Sequence, residues 1–284
     1  MDDLSELMRH MRLQTRVFHH STHCGQWVLE GEYERKAMFH LVAVGRCMLH
    51  IDDGADDIAL QAGDAVLFTS PCDHRLISSI DATDSDATLL LCGYFEFDSP
   101  LSTVLLASLP AQLLLRHGAS RERMATGAPA ALLQLIVTEA EVDGPGSTVL
   151  MDKLADALFM YAVRQCLDDG TVQRGLLKAL SDPYVGPVLT AMHQQPQQPW
   201  SVASLAAKIH LSRAAFARRF VEAVGISPLA YLTRLRMQLA KTALAERGIS
   251  VAEASVLTGY ATEAAFSRAF KRIYGCSPGA VRSA

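Results

Sequence analysis

Arginine can hold guanine O6 and N7 in bidentate fashion or grip a phosphate, and lysine can meet a phosphate as a point charge. Arg213, Arg218, Arg268 and Lys271 suit either role. They lie in two stretches fifty positions apart, LSRAAFARRFVEAVGISPLAY (211–231) and ATEAAFSRAFKRIYGCSPGAV (261–281), which share Phe216/Phe266, Arg218/Arg268, Phe220/Phe270, Gly225/Gly275, Ser227/Ser277 and Pro228/Pro278. A helical repeat packed for stability alone explains the phenylalanines and leaves the basic residues unexplained. The six cysteines, Cys24, Cys47, Cys72, Cys92, Cys166 and Cys276, offer a second chemistry. They lack CxxC spacing, so in a reducing compartment they are free thiols, metal ligands or redox sensors. The acidic run Asp52, Asp53, Asp56, Asp57 could bind calcium, but it lacks the ligand spacing of a calcium loop and reads as a solvated hairpin.

The basic residues need helices to position them. Each stretch carries a hydroxyl N-cap (Ser212, Thr262), phenylalanines at i, i+4, and a glycine (Gly225, Gly275) at the left-handed position after the last turn. Ser227-Pro228 and Ser277-Pro278 then start the next helix with proline where its missing N–H costs nothing. Two helix-turn-helix units follow: Val202 to Ile209 supports Arg213 to Val224, and a helix capped by the Ser250/Glu253 box supports Glu263 to Tyr274. The connector, Pro228 to Arg247, spans about 28 Å at 1.5 Å per residue. That is close to the roughly 34 Å between successive major-groove faces.

The thiols need a different scaffold. From Trp27 to about Phe97, short apolar runs alternate with turn signals, the pattern of a β-sandwich or barrel. The N-terminus predicts a helix and an entry strand; Asp98 to Gly127 predicts loops and a short helix. Ala128 to Val142 and Ser147 to Asp168 predict an αα-hairpin around the turn at Asp143. In its second helix Leu150, Leu154, Leu158 and Tyr161 form a stripe wide enough for an intersubunit contact as well as core packing. The expected fold class is α+β: a sensor domain over 1–127, a helical hairpin and connecting region over 128–193, a proline-rich linker over 194–199, and an all-α module over 200–284.

Charge supports that division. From Pro199 onward there are 12 Lys+Arg against 4 Asp+Glu, a net of +8, leaving 14 against 26 elsewhere. A basic module on an acidic body is the footprint of nucleic-acid binding. No run approaches the roughly 18 apolar residues of a membrane helix, and the charged start MDDLSELMRHMRL is no signal peptide, so a cytoplasmic protein is expected.

The motifs SRAAFARRF, GISPLAYLTRLR, ASVLTGYATEAAFSRAF and YGCSPGAVR, spread over Trp200 to Arg282, resemble the DNA-binding domain of the AraC/XylS transcription regulators. The resemblance implies that Arg213, Ala214, Ala217 and Arg218 face the groove in the first half, and Glu263, Ala264, Ser267 and Arg268 in the second, with Lys271 one turn on. Base and phosphate contacts are both open for the arginines, while the small Ala214 and Ala217 can meet thymine methyls or read shape. It further implies a homodimer acting with promoter DNA and RNA polymerase, with activation as the family default.

FHLVAVGRCMLHI, LQAGDAVLF, PCDH and LLCGYFEF resemble the cupin-type sensor domain of a subset of these regulators. Against the cupin metal pattern, His40 and His74 match, Val42 replaces a histidine and Cys47 a glutamate, so a cupin metalloenzyme is not expected and no cofactor is required. His40, Cys47 and His74 could still offer zinc two imidazoles and a thiolate, with Cys24 or Cys92 as a fourth ligand. Alternatively they are hydrogen-bonded core residues. Cys24 and Cys92 fall at positions similar to those of a reactive-chlorine-sensing member of the family, which implies an oxidant signal through a Cys24–Cys92 bridge, with His19, His20 and His23 beside Cys24. The other expected signal is a small organic ligand in the barrel.

Overall fold

The computed structural model describes residues 3–30, 36–52, 57–116, 128–142 and 144–282. Asp53 and Asp56 of the acidic run and Asp143 of the hairpin turn lie outside the described residues. Two compact units form, one from Leu13–Glu96 and Leu109–Thr171, the other from Met1–Arg12, Phe97–Ser108 and Val172–Ala284. This division departs from the expected boundaries at 127, 193 and 199, because the chain crosses between units four times. Its first twelve residues join the helical unit, where Leu7 and Met11 are fully buried.

In chain order helix α1 (Asp3–Met11) precedes strands β1 (Leu13–Cys24), β2 (Val28–Glu30), β3 (Ala37–Val44), β4 (Arg46–Ile51), β5 (Ile58–Gln61), β6 (Ala65–Phe68), β7 (His74–Ser78) and β8 (Ala87–Phe97). Helix α2 (Ser102–Leu106), strand β9 (Gln112–Leu115) and helices α3 (Ala128–Val142) and α4 (Ser147–Asp168) follow. The strands make a five-stranded sheet, β1-β8-β3-β6-β9, and a four-stranded sheet, β2-β7-β4-β5. Strand β3 is central in the first and buries seven of its eight residues, so it reads as a continuous apolar run. Strand β4 alternates, turning Cys47, Leu49 and Ile51 inward and exposing Arg46. Met38, Val42, Cys47, Leu49, Phe68 and Cys92 belong to the core cluster of this unit.

Helix α4 packs along the edge strand β1 and fixes its backbone. Asp156 Oδ1 accepts from the Thr15 N–H and hydroxyl at 2.8 Å each, and Asp152 Oδ1 accepts from the Val17 N–H at 3.0 Å. The wide stripe of α4 separates into two faces. Met151, Ala155, Leu158, Phe159 and Ala162 are buried, whereas Leu150 is 43% and Val149 66% exposed. Leu158 therefore belongs to the packed face, not with Leu150, because successive turns rotate it inward.

The helical unit adds α5 (Leu176–Leu180), α6 (Val185–Gln194), α7 (Val202–Lys208), α8 (Arg213–Val224), α9 (Pro228–Arg247), α10 (Val251–Leu257), α11 (Glu263–Tyr274) and α12 (Pro278–Arg282). Residues 194–199, expected as an extended linker, are docked within this unit: Arg236 donates to the Pro196 and Gln198 carbonyls at 2.7 and 2.6 Å. The pull is electrostatic, since the guanidinium meets the Pro196 carbonyl and shares the Gln198 carbonyl with the Trp200 N–H.

A buried polar group joins three helices of this unit. The Tyr231 hydroxyl and His193 Nε2 share a hydrogen bond at 2.7 Å, and the His10 ring meets His193 edge-on at 5.5 Å. Burial, with His10 beside it, holds His193 down to about 3. The unfolded chain binds a proton near the ordinary value of about 6.5, so stability from this group is complete above that pH. It is lost as pH falls from about 6.5 toward 3, at up to about 1.4 kcal/mol per pH unit. Urea denaturation of the wild type between pH 4 and 7 should show that decline, and His193→Gln should make it shallower, the remaining slope coming from other buried histidines such as His10, His40 and His74.

Candidate nucleic-acid interface and thiol–histidine core

Helices α8 and α11 begin and end as local chemistry dictates. The Ser212 and Thr262 hydroxyls accept from the Ala215 and Ala265 N–H groups at 3.2 Å. Gly225 and Gly275 terminate them at φ 87° and 75°. Phe216, Phe220, Phe266 and Phe270 are fully buried, which turns the opposite strip of each helix outward. Arg213, Ala214 and Arg218 are exposed on α8, with Ala217 half-buried; Glu263, Ala264, Arg268 and Lys271 are exposed on α11, with Ser267 half-buried. The expected groove residues thus share one strip per helix. Arg219 is spent on packing instead, since it pairs with Asp182 at 3.0 Å and covers the Tyr184 ring at 4.3 Å, tying α8 to the loop before α6. Among the described residues Arg218 pairs only with Glu222, at 3.8 Å and in solvent, a contact worth a few tenths of a kcal/mol that leaves the guanidinium available.

The expected sensor residues divide. Strand β3 pairs with β8 so that His40 faces Cys92 in register. Here His40 Nδ1 lies 2.8 Å from Cys92 Sγ, and His40 Nε2 lies 2.7 Å from His74 Nε2. His74 Nδ1 lies 2.7 Å from the Cys72 carbonyl, which can only accept. Three bonds therefore set the tautomers: His74 donates from Nδ1, His40 donates from Nε2 to His74, and Cys92 S–H donates to His40 Nδ1. The protonation states agree. Burial, then His74 and His19, hold His40 well below its usual value, and burial, then Cys47, push the Cys92 thiol up. Cys47, in the same core, is pushed up to about 12 by burial and by Asp64. His74 is lowered by burial, against the Cys72 carbonyl, Asp73 and Asp52. Both ring nitrogens of His40 are thus engaged, and among the described residues no group of three or more His, Cys, Asp or Glu is arranged to hold a metal ion.

Cys24 stands elsewhere. Three contacts set the antiparallel course of β1 along β8: Asp98 N–H to the Arg12 carbonyl, Gly93 against the Arg16 carbonyl, and Gly25 against Asp84. Cys92 then lies opposite residues 17–18, and Cys24 some six residues farther along, roughly 20 Å at about 3.3 Å per residue. A disulfide needs Cα atoms about 4.4–6.8 Å apart. The fold does not bring the expected pair together, because strand register, which spacing in sequence does not encode, separates them. Cys24 is exposed at its strand end, two residues past Thr22, while His19 and His23 of the inward face approach each other at 3.1 Å between Nε2 atoms.

Residues 2–168 match the cupin family and residues 205–284 the helix-turn-helix domain family. A putative AraC-like transcription regulator of Streptomyces antibioticus is 29% identical over 99% of this chain and 98% of its own length. RclR of Escherichia coli (strain K12), named an RCS-specific HTH-type transcriptional activator, is 30% identical over 86% of this chain and 83% of its own. The chain belongs to the AraC family of transcription regulators. The DNA-binding domain of AdpA, solved in complex with a target DNA, is 32% identical over 36% of this chain and 92% of that domain, at a TM-score of 0.35. This AraC-type protein is accordingly a DNA-binding transcriptional regulator with a cupin domain, not an enzyme. Among its described residues no helix is long and apolar enough to cross a membrane.

Proposed function

We propose that this regulator is a cytoplasmic activator that binds promoter DNA sequence-specifically as a homodimer, works with RNA polymerase, and is switched by thiol oxidation in its cupin half. One observation carries the DNA-binding part: two equally punctuated helices present Arg213, Arg218, Arg268 and Lys271 on solvent strips opposite their buried phenylalanines. The connector α9, with 20 residues, spans about 28 Å from first to last, which suits insertion of α8 and α11 into successive major-groove faces. The second apolar face of α4, with Val149 and Leu150, and the exposed Leu135 of α3 favour a homodimer through the hairpin.

Three features favour an oxidant over zinc or an organic ligand. RclR is named for RCS specificity; Cys24 is exposed; and the cupin core contains buried apolar side chains and a hydrogen-bonded His40. Bridging Cys24 to Cys92 would require β1 to leave β8 and break its bonds to Asp152 and Asp156 on α4. That displacement is the proposed output of oxidation.

A promoter reporter tests the switch, comparing wild type, Cys24→Ser and His40→Ala with hypochlorite, zinc or no addition. Hypochlorite should switch the wild type and leave Cys24→Ser silent. Switching by zinc alone, abolished in His40→Ala, would sink the thiol reading in favour of a metal. Competition with unrelated duplex at about 0.15 M salt tests specificity. Equal competition by unrelated and promoter duplex would reduce the protein to a nonspecific binder.

A further inference from the structure

The two reading helices share a frame and differ at its face. At 100° per residue, Ala214, Arg218 and Val221 fall within about 60° of one another on α8, as do Ala264, Arg268 and Lys271 on α11. Both triplets lie opposite the buried phenylalanines. The first two positions are identical between the repeats, and the third is Val221 in one and Lys271 in the other. Two flanking positions also differ, Arg213 against Glu263 and Ala217 against Ser267.

Val221 is 43% exposed, and a scattered exposed valine on an ordinary surface needs no explanation. Its place is not ordinary, because the repeat puts a lysine ammonium at the same point of the other reading strip. A lysine there can grip phosphate or guanine, whereas a valine offers neither charge nor hydrogen bond. In the major groove the only apolar group presented by the base edges is the thymine 5-methyl. Ala214 and Ala217, both small, let the helix approach closely enough for branched methyls one turn on to reach it.

We propose that α8 reads thymine methyl groups through Val221, flanked by Ala214 and Ala217, whereas α11 reads hydrogen-bonding groups through Ser267, Arg268 and Lys271. The two half-sites of the operator therefore differ in composition although the readers are a repeat: the α8 half carries a methyl-bearing A·T step that the α11 half does not require. The inference rests on the proposed entry of both helices into the groove.

The test uses full-length protein and a pool of duplexes with about 24 random base pairs, enough for two faces a helical turn apart. Selected sites are then synthesised with each thymine replaced by uracil, which removes only the methyl. For the wild type, one or two replacements in a single half-site should weaken binding about three- to tenfold, the scale of one lost apolar base contact. In Val221→Ala, a surface change whose fold is checked by thermal melting, those replacements should become neutral. Val221→Lys should lose the thymine preference in that half while the other half is still selected. Uracil replacement that is neutral throughout both halves, or a penalty of equal size in wild type and Val221→Ala, overturns the proposal. If instead Arg218→Ala and Arg268→Ala both leave the selected sequence and the affinity unchanged, the helices do not enter the groove, and the underlying reading fails with it.

Discussion

Replacing Arg218 and Arg268 together with alanine is expected to weaken promoter binding about 10²- to 10⁴-fold while leaving the melting temperature of the protein within a degree or two. Each guanidinium stands on an exposed strip, and a bidentate arginine–guanine contact is worth about 1–3 kcal/mol of discrimination. Stability should hardly respond, because among the described residues the only ion pair of Arg218 is a 3.8 Å surface contact with Glu222. The neighbouring Arg219→Ala should do the reverse, lowering stability by loosening Asp182 and Tyr184 from α8 and touching affinity only through that loss. The form of the double variant's deficit tells base from phosphate. A deficit confined to one or two base-pair positions marks guanine contacts. A uniform deficit, with the slope of log K against log salt reduced by about 0.9 per arginine, marks phosphates. Titrations at three salt concentrations on promoter and scrambled duplexes decide between them. A double variant that binds like the wild type would mean that this strip does not meet DNA.

What could be read in advance was what is encoded locally. Ser212, Thr262, Gly225, Gly275, Pro228 and Ser250/Glu253 act within four residues of themselves, and the bounds of α3, α4, α8, α9 and α11 follow from such signals and from 3.6-residue periodicity. Strand β9 carried no such signal: QLLL is four residues without alternation, and it is a strand because β6 offers it an edge. The four crossings between units were equally hidden, since the apolar stripe of α1 reveals that it packs but not on what. The candidate groove residues were legible for the same local reason as their helices. The thiols were not, because β1 pairs with β8 in a register that carries Cys24 away from Cys92, whereas β3 pairs with β8 in one that sets His40 against it. Histidine and cysteine spacing left a metal and core packing both open; the hydrogen bonds around His40 engage His40 and His74, and Cys47 packs in the same core. Val221 escaped notice because an apolar residue on a helix is assigned to the core until its exposure is known.

Gly259→Ala should be the most damaging small substitution in the helical unit. The turns of the two helix-turn-helix motifs differ by one residue, since α7 and α10 begin 49 positions apart and α8 and α11 begin 50 apart. Both turns use a left-handed residue, His210 at φ 55° and Gly259 at φ 71°. His210 shows that a side chain is tolerable in that conformation, at a cost of about 1–2 kcal/mol. Gly259 has a second constraint, because a Cβ there would lie 2.1 Å from the Gln197 carbonyl oxygen. That atom is backbone, in the segment that Arg236 holds by the carbonyls of Pro196 and Gln198, so relief requires the segment to move and those charge-assisted bonds to break. Gly248 is the control, with φ 61° and open space around its missing Cβ. Gly248→Ala should cost about 1 kcal/mol, the conformational part alone, and Gly259→Ala should exceed it by about 1–2 kcal/mol, as one half-buried and one exposed hydrogen bond from a charged group are lost. Urea midpoints for both variants, followed through helical circular dichroism, measure the difference. Equal midpoints would mean that residues 195–200 yield without cost and that Arg236 does not hold them.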